Sequence, residues 1–199
     1  MKSDRPSITF GEGFRALESS SYPLLVILLC APFIQPISLG PLATIGGLSI
    51  AAIGWQFARG RATPWLPRKL EELVVPTKTW DRLLSFSNGL LRFFKRFTRM
   101  RFEVLTANPR GRALVGYTIC LAGLLIAIPF VGIPFNNTFP ALMALCAAVA
   151  IIENDGLMLL ASLFWLVVTV VYFALVIWVI IYFGTEAVLP LLREHLGIG

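Results

Sequence analysis

Residues 31–41 read APFIQPISLGP and lie near the middle of forty consecutive residues, 19–58, that carry no charge. Forty residues of helix would run about 60 Å, twice the roughly 30 Å of a bilayer's hydrocarbon core, so the stretch has to turn back once. Proline removes a helical donor and disfavours helix in the residue before it, and glycine accepts the turn. The stretch is therefore expected to be a helical hairpin broken at its middle. A second charge-free stretch of the same length, 113–152, carries a similar cluster, IPFVGIPFNNTFP, at 128–140. Pro32-Phe33 aligns with Pro129-Phe130 at an offset of 97, Pro36 with Pro134 at 98, and Pro41 with Pro140 at 99. A small-residue helix follows each, so we expect a duplicated hairpin, an arrangement common in membrane transporters.

A third uncharged stretch, 156–185, holds no proline and is long enough to cross completely. Its Trp178 and Tyr182 are placed to anchor the far interface. The expected fold is an all-α integral membrane protein in one domain. Its parts are a segment 1–18, hairpin 19–58, a basic segment 59–112, hairpin 113–152, a transmembrane helix 156–185 and a tail 186–199.

Composition agrees. Of 199 residues, 57% are hydrophobic and 14% charged, against roughly 25% charged in soluble domains. A water-soluble domain this small has too little interior for that much apolar surface. Thirteen of the seventeen Lys and Arg lie between Arg59 and Arg112 with four acids among them, so that segment is +9 in a chain of +6. Positive charge between apolar stretches follows the positive-inside rule rather than nucleic-acid recognition. It places the N-terminus and the basic segment in the cytoplasm and the C-terminus on the opposite side of the membrane. Residues 77–105 put Trp80, Phe86, Phe93, Phe94 and Phe97 on one helical face and Arg82, Arg92, Lys95, Arg96 and Arg99 on the rest. Such a helix lies in the interface against anionic lipids. Cys30, Cys120 and Cys146 have neither disulfide nor metal spacing and read as small buried hydrophobes. The mixed-charge N-terminus does not read as a cleaved signal peptide.

Polar groups gather at two places. The hairpin tips hold Gln35, Ser38 and Thr44 in one repeat and Asn136, Asn137 and Thr138 in the other. An Asn ahead of Phe139-Pro140 suits a helix N-cap. In re-entrant hairpins these tips would line a substrate path at depth; in fully crossing hairpins they would be turns among headgroups. On the inner side, Arg59 and Arg61 precede Pro64-Trp65-Leu66-Pro67 and end the half of the repeat that corresponds to Glu153-Asn154-Asp155-Gly156. Arg59 or Arg61 could pair with Glu153 or Asp155; equally, Asp155 could cap the last helix and the arginines set topology. The single histidine, His195, is in the tail, and no nucleophile–base set, phosphate-binding glycine loop or metal cluster is spaced for chemistry. We expect no enzyme activity and no cofactor.

The pieces RATPWLP (61–67), PFNNTFP (134–140) and ENDG (153–156), with the basic linker between hairpins, resemble the ExoD family, membrane proteins named for exopolysaccharide synthesis. The likeness covers about residues 8–183 and implies an inner-membrane location and a link to surface polysaccharide, without a molecular activity. Two functions fit: a small transporter or permease working at the hairpin tips, or a non-catalytic membrane partner or scaffold of the polysaccharide machinery. The expected partners are the bilayer, with anionic lipids at the basic helix, a second copy in a homodimer, and polysaccharide-machinery proteins, but no nucleic acid.

Overall fold

The computed structural model describes residues 7–9, 21–35, 40–65, 74–76, 85, 89, 92, 106, 108–130 and 133–196. The amphipathic helix expected over 77–105 lies outside the described residues, except that positions 85, 89 and 92 are helical.

Among the described residues, five α-helices make the body. They are α1 (Ser21–Cys30), α2 (Pro41–Ala58), α3 (Pro109–Ala127), α4 (Thr138–Glu153) and α5 (Gly156–Leu196), with a short 3-10 turn, Ala31–Phe33, extending α1. The helices break where the proline clusters fall. Gly40, at a φ of 54°, and Pro41 start α2, and Asn108 starts α3 by accepting a hydrogen bond from the Gly111 amide at 2.5 Å, with Pro109 in the first turn. That cap lets α3 begin before the charge-free stretch, so Arg110 and Arg112 are helical. At the other end α5 continues to Leu196, past the expected boundary at 185. One β element adds to the helical fold. Strand β1 (Ser7–Thr9) pairs antiparallel with β2 (Val74–Pro76), Ile8 opposite Val75, which ties the N-terminal segment to the basic segment.

The helices divide by length. α2, α3 and the Gly156–Phe183 part of α5 are long and apolar enough to cross a membrane; α1 with its 3-10 turn and α4 are shorter. The short pair forms the centre: Leu25, Val26, Ile27 and Cys30 of α1 and Met143 to Ala150 of α4 are buried. Apolar on every side, they behave as core helices. The long helices instead carry exposed apolar stripes: Leu42, Ile45, Leu48 and Trp55 on α2, and Leu114, Tyr117, Leu121, Leu124 and Ile128 on α3. In water such stripes would be sticky; against lipid they are the natural outer surface.

On its other face α2 lies antiparallel against α3, and the approach is closer than side chains permit. A Cβ on Gly47 would come within 2.5 Å of the Ala127 nitrogen, one on Gly116 within 2.5 Å of the Ala58 nitrogen, and one on Gly54 would strike the Cys120 amide. The contact rows are 47, 51, 54 and 58 on α2 and 116, 120, 123 and 127 on α3, all Gly, Ala or Cys. Lipid supplies no hydrophobic drive for helix association, so backbone-to-backbone packing through small residues does the holding.

Candidate functional site

The two helix breaks meet. Thr138 Oγ1, at the start of α4, donates to the Gln35 carbonyl in the first break at 3.0 Å, and Thr44 Oγ1, near the start of α2, donates to the Ala127 carbonyl at the end of α3 at 3.2 Å. Within the second break, the Asn136 side-chain amide donates to the Phe130 carbonyl at 2.9 Å, and the Tyr172 hydroxyl of α5 donates to the Pro134 carbonyl. Backbone groups released by the prolines are thus satisfied inside the protein, as apolar surroundings demand. Phe135 sits between these bonds in the left-handed region at a φ of 60°. Aromatic rings clamp the second tip on α5: Phe139 stacks on Trp165 at 5.9 Å and meets Tyr172 edge-on at 5.1 Å, and Phe130 meets Phe173 at 5.1 Å.

Asn137 stands apart. Its side chain is 1% exposed and neither its oxygen nor its nitrogen has a hydrogen-bond partner. It occupies the N-cap position of α4, as its sequence suggested, but its side chain does not cap; its own backbone is already helical at φ −92°, ψ −25°. A capping residue needs extended backbone to turn its side chain back onto the helix amides. Of the other tip residues, Gln35 is exposed and contributes its carbonyl, Thr44 is half-buried, Asn136 and Thr138 are buried, and Ser38 lies outside the described residues.

A second cluster forms at the opposite end of α2. Gly60, at a φ of 72°, stops the helix, and the amides of Arg59, Gly60 and Arg61 bond back to the carbonyls of Trp55, Phe57 and Gln56. Gln56 then holds the returning chain: its Oε1 accepts from the Trp65 amide at 2.6 Å and its Nε2 donates to the Trp65 carbonyl at 3.5 Å. The result is a groove of about 690 Å³ lined by Trp55, Gln56, Arg59, Arg61 and Trp65. The Arg59 guanidinium lies over the Trp55 ring at 4.9 Å. Nearby, Arg112 lies over Phe57 at 5.3 Å, and Tyr22 meets Phe57 edge-on.

Arg59 and Arg61 therefore line this groove, while Asp155 is turned to the start of α5. It is fully buried, and its Oδ1 accepts from the Leu157 amide at 2.9 Å. Asn154 closes α4 in the left-handed conformation. The cap reading of Asp155 is what the geometry displays. Trp55 and Gln56 were not singled out from sequence. Gln56 lies nine residues before Trp65 in an unbroken apolar helix, and only the return of the chain at Gly60 brings them together. Among the described residues no group of three or more His, Cys, Asp or Glu is placed to hold a metal.

A family model described as "Exopolysaccharide synthesis, ExoD" matches residues 1–175. Protein ExoD of Rhizobium meliloti is 32% identical over 168 residues, covering 84% of this chain and 70% of that protein. An uncharacterized protein of Synechocystis is 23% identical over 198 residues, covering 99% of this chain and 92% of its own. No solved structure matches the chain.

Proposed function

This chain belongs to the ExoD family, a family linked to exopolysaccharide synthesis, and from that premise we propose that it is a non-enzymatic inner-membrane permease serving that synthesis, its solute path running where the two helix breaks meet. The observation that carries the reading is Asn137, a fully buried amide with no partner at a helix break inside apolar surroundings. An unsatisfied buried polar group costs about 1–3 kcal/mol, and a purely structural position would have no reason to keep one. An amide that hydrogen-bonds a passing solute would.

A duplicated hairpin, as the proline offsets suggest, would fit the same reading. If the two hairpins are repeats, exchanging them turns the α2–α3 contact into the α4–α1 contact, and both contacts are present. Depth agrees as well. The second tip meets α5 at Tyr172, about 24 Å of helix beyond Gly156 and about 15 Å short of Tyr182. With Trp178 and Tyr182 at the far interface, the tips end below it, as re-entrant breaks do. The positive-inside rule puts the Arg59–Arg112 face, and with it the N-terminus, in the cytoplasm of a multi-pass protein. The scaffold alternative draws on the same arginine-rich face, which offers a partner protein or a second copy a charged surface.

Complementation separates the two. In a strain lacking this protein and deficient in exopolysaccharide, Asn137→Leu should insert at the normal level and fail to restore polymer. Replacing an unpartnered amide by an apolar group of similar size removes a desolvation cost, so lost function cannot be blamed on lost folding. Full restoration by Asn137→Leu would overturn the permease reading and leave the scaffold.

A further inference from the structure

We propose that the groove between Trp55 and Trp65 binds the phosphate of an amphiphile, a phosphoryl headgroup whose apolar chain runs into the bilayer along α2. The site is separate from the helix breaks and does not depend on the permease reading.

Four observations converge on it. First, the groove is of ligand size: about 690 Å³, inside the roughly 300–1,000 Å³ range of small-molecule clefts. Second, Arg59 and Arg61, the cations among its described lining residues, are not consumed by the fold. The last carbonyls of α2 are satisfied by the backbone amides of residues 59–61, so neither guanidinium is needed as a C-cap. Among the described residues Arg59 has its ring contact with Trp55, and Arg61 donates its amide to Gln56 while its charge acts on the nearby Tyr22 hydroxyl without a hydrogen bond. Guanidinium groups left with their donor forks open are the standard recognition element for phosphate. Third, the site is built rather than loose. Gly60 turns the chain and Gln56 grips Trp65 through both main-chain groups, so the loop that carries Arg61 is fixed against the helix that carries Arg59. Stacking on Trp55 preorients Arg59. Fourth, the position selects an amphiphile. The groove opens at the end of α2, whose outer face above it is the exposed stripe Leu48, Ile45 and Leu42, and Trp55 and Trp65 are 45% and 65% exposed. Tryptophans at that level sit among headgroups, and an acyl or prenyl chain would continue along the stripe.

Two sources supply this chemistry: a bulk anionic phospholipid, or a polyprenyl monophosphate of the kind that carries sugars. The test uses the full purified chain in detergent, with native mass spectrometry to count bound molecules and titration to give affinities. The probes are phosphatidylglycerol, a polyprenyl monophosphate and inorganic phosphate. One amphiphile should bind per chain, inorganic phosphate should not displace it, and Arg59→Gln/Arg61→Gln should weaken binding at least ~10-fold. Arg92→Gln/Arg110→Gln, an equal loss of charge at exposed residues that do not line the groove, should leave it unchanged. Trp65→Ala, which keeps both charges, should weaken it too. Tighter binding of the polyprenyl phosphate identifies a carrier site, and equal binding a general anionic-lipid site; either supports the proposal. Wild-type affinity in the double arginine variant, an equal loss in the charge control, or displacement by inorganic phosphate would overturn it.

Discussion

Thr138 Oγ1 and the Gln35 carbonyl, 103 residues apart in the chain, are joined at 3.0 Å where the two helix breaks meet. The bond explains how irregular backbone survives in an apolar setting. Proline clusters free carbonyls that a helix would have used, and a hydroxyl at the other break takes one of them. Thr44 does the same for the Ala127 carbonyl, an orphan of the α3 C-terminus.

Thr138→Val should therefore destabilise the fold by about 1 kcal/mol, the usual net value of one hydrogen bond, and Thr138→Ser should recover most of it. Thr44→Val should cost less, because Thr44 is only half-buried. Thermal unfolding midpoints of the purified variants in one detergent check the order. Equal midpoints for Val and Ser at position 138 would mean that the hydroxyl holds nothing.

The α2–α3 seam makes a sharper demand. Gly54→Val pushes a side chain against the Cys120 amide and the Gly116 carbonyl, and neither backbone can yield without parting the helices. The cost should reach about 3 kcal/mol or more, the upper end for overpacking. Leu48→Val, on the exposed stripe of the same helix, should change stability by less than about 0.5 kcal/mol. Yield of folded, monodisperse protein separates the two.

The breaks and the tip residues could be read from sequence because proline and glycine act locally: Pro32 falls where α1 ends, and Gly40 with Pro41 restarts the chain as α2. What could not be read depended on neighbours. Gly116 and Gly123 look like ordinary membrane-helix glycines until α2 is placed beside them, and α1 and α4 show their central place only once the long helices surround them. Asn137 was found by position, but its missing cap bond follows from a backbone angle that no residue pattern encodes. The inner groove was half visible. Arg59, Arg61 and Trp65 stood out by charge and by place, and Gln56 did not.

The pairing of β1 with β2 makes a topological prediction. Ile8 and Val75 are register partners, and antiparallel partners lie about 4.5–5.5 Å apart at Cα, within reach of a disulfide. In a cysteine-free background, Ile8→Cys/Val75→Cys should cross-link on mild oxidation. Single cysteines at either position, or at Lys78, should label only from the cytoplasm, and one at Gly199 only from outside. Periplasmic labelling at Lys78 would reverse the orientation proposed here.

Phe135 offers the last test, because two terms act on it with opposite sign. Its φ of 60° places a bulky residue in the left-handed region, at about 1–2 kcal/mol. Its ring stacks on Phe139 at 6.0 Å, and an aromatic pair returns about 0.5–1.5 kcal/mol. Phe135→Gly removes both terms, and Phe135→Asn removes the ring while tolerating the conformation, so each should leave the unfolding midpoint nearly unchanged. Phe135→Val keeps the conformational cost, worsens it by branching at Cβ, and loses the stack; it should be the least stable of the three by about 2 kcal/mol. Neighbouring bonds from Asn136 to the Phe130 carbonyl and from Tyr172 to the Pro134 carbonyl keep the turn in place, so the tip cannot relax to accommodate valine. A valine variant as stable as the glycine one would show that the turn at 135 is not held left-handed, and that the tip is free to rearrange.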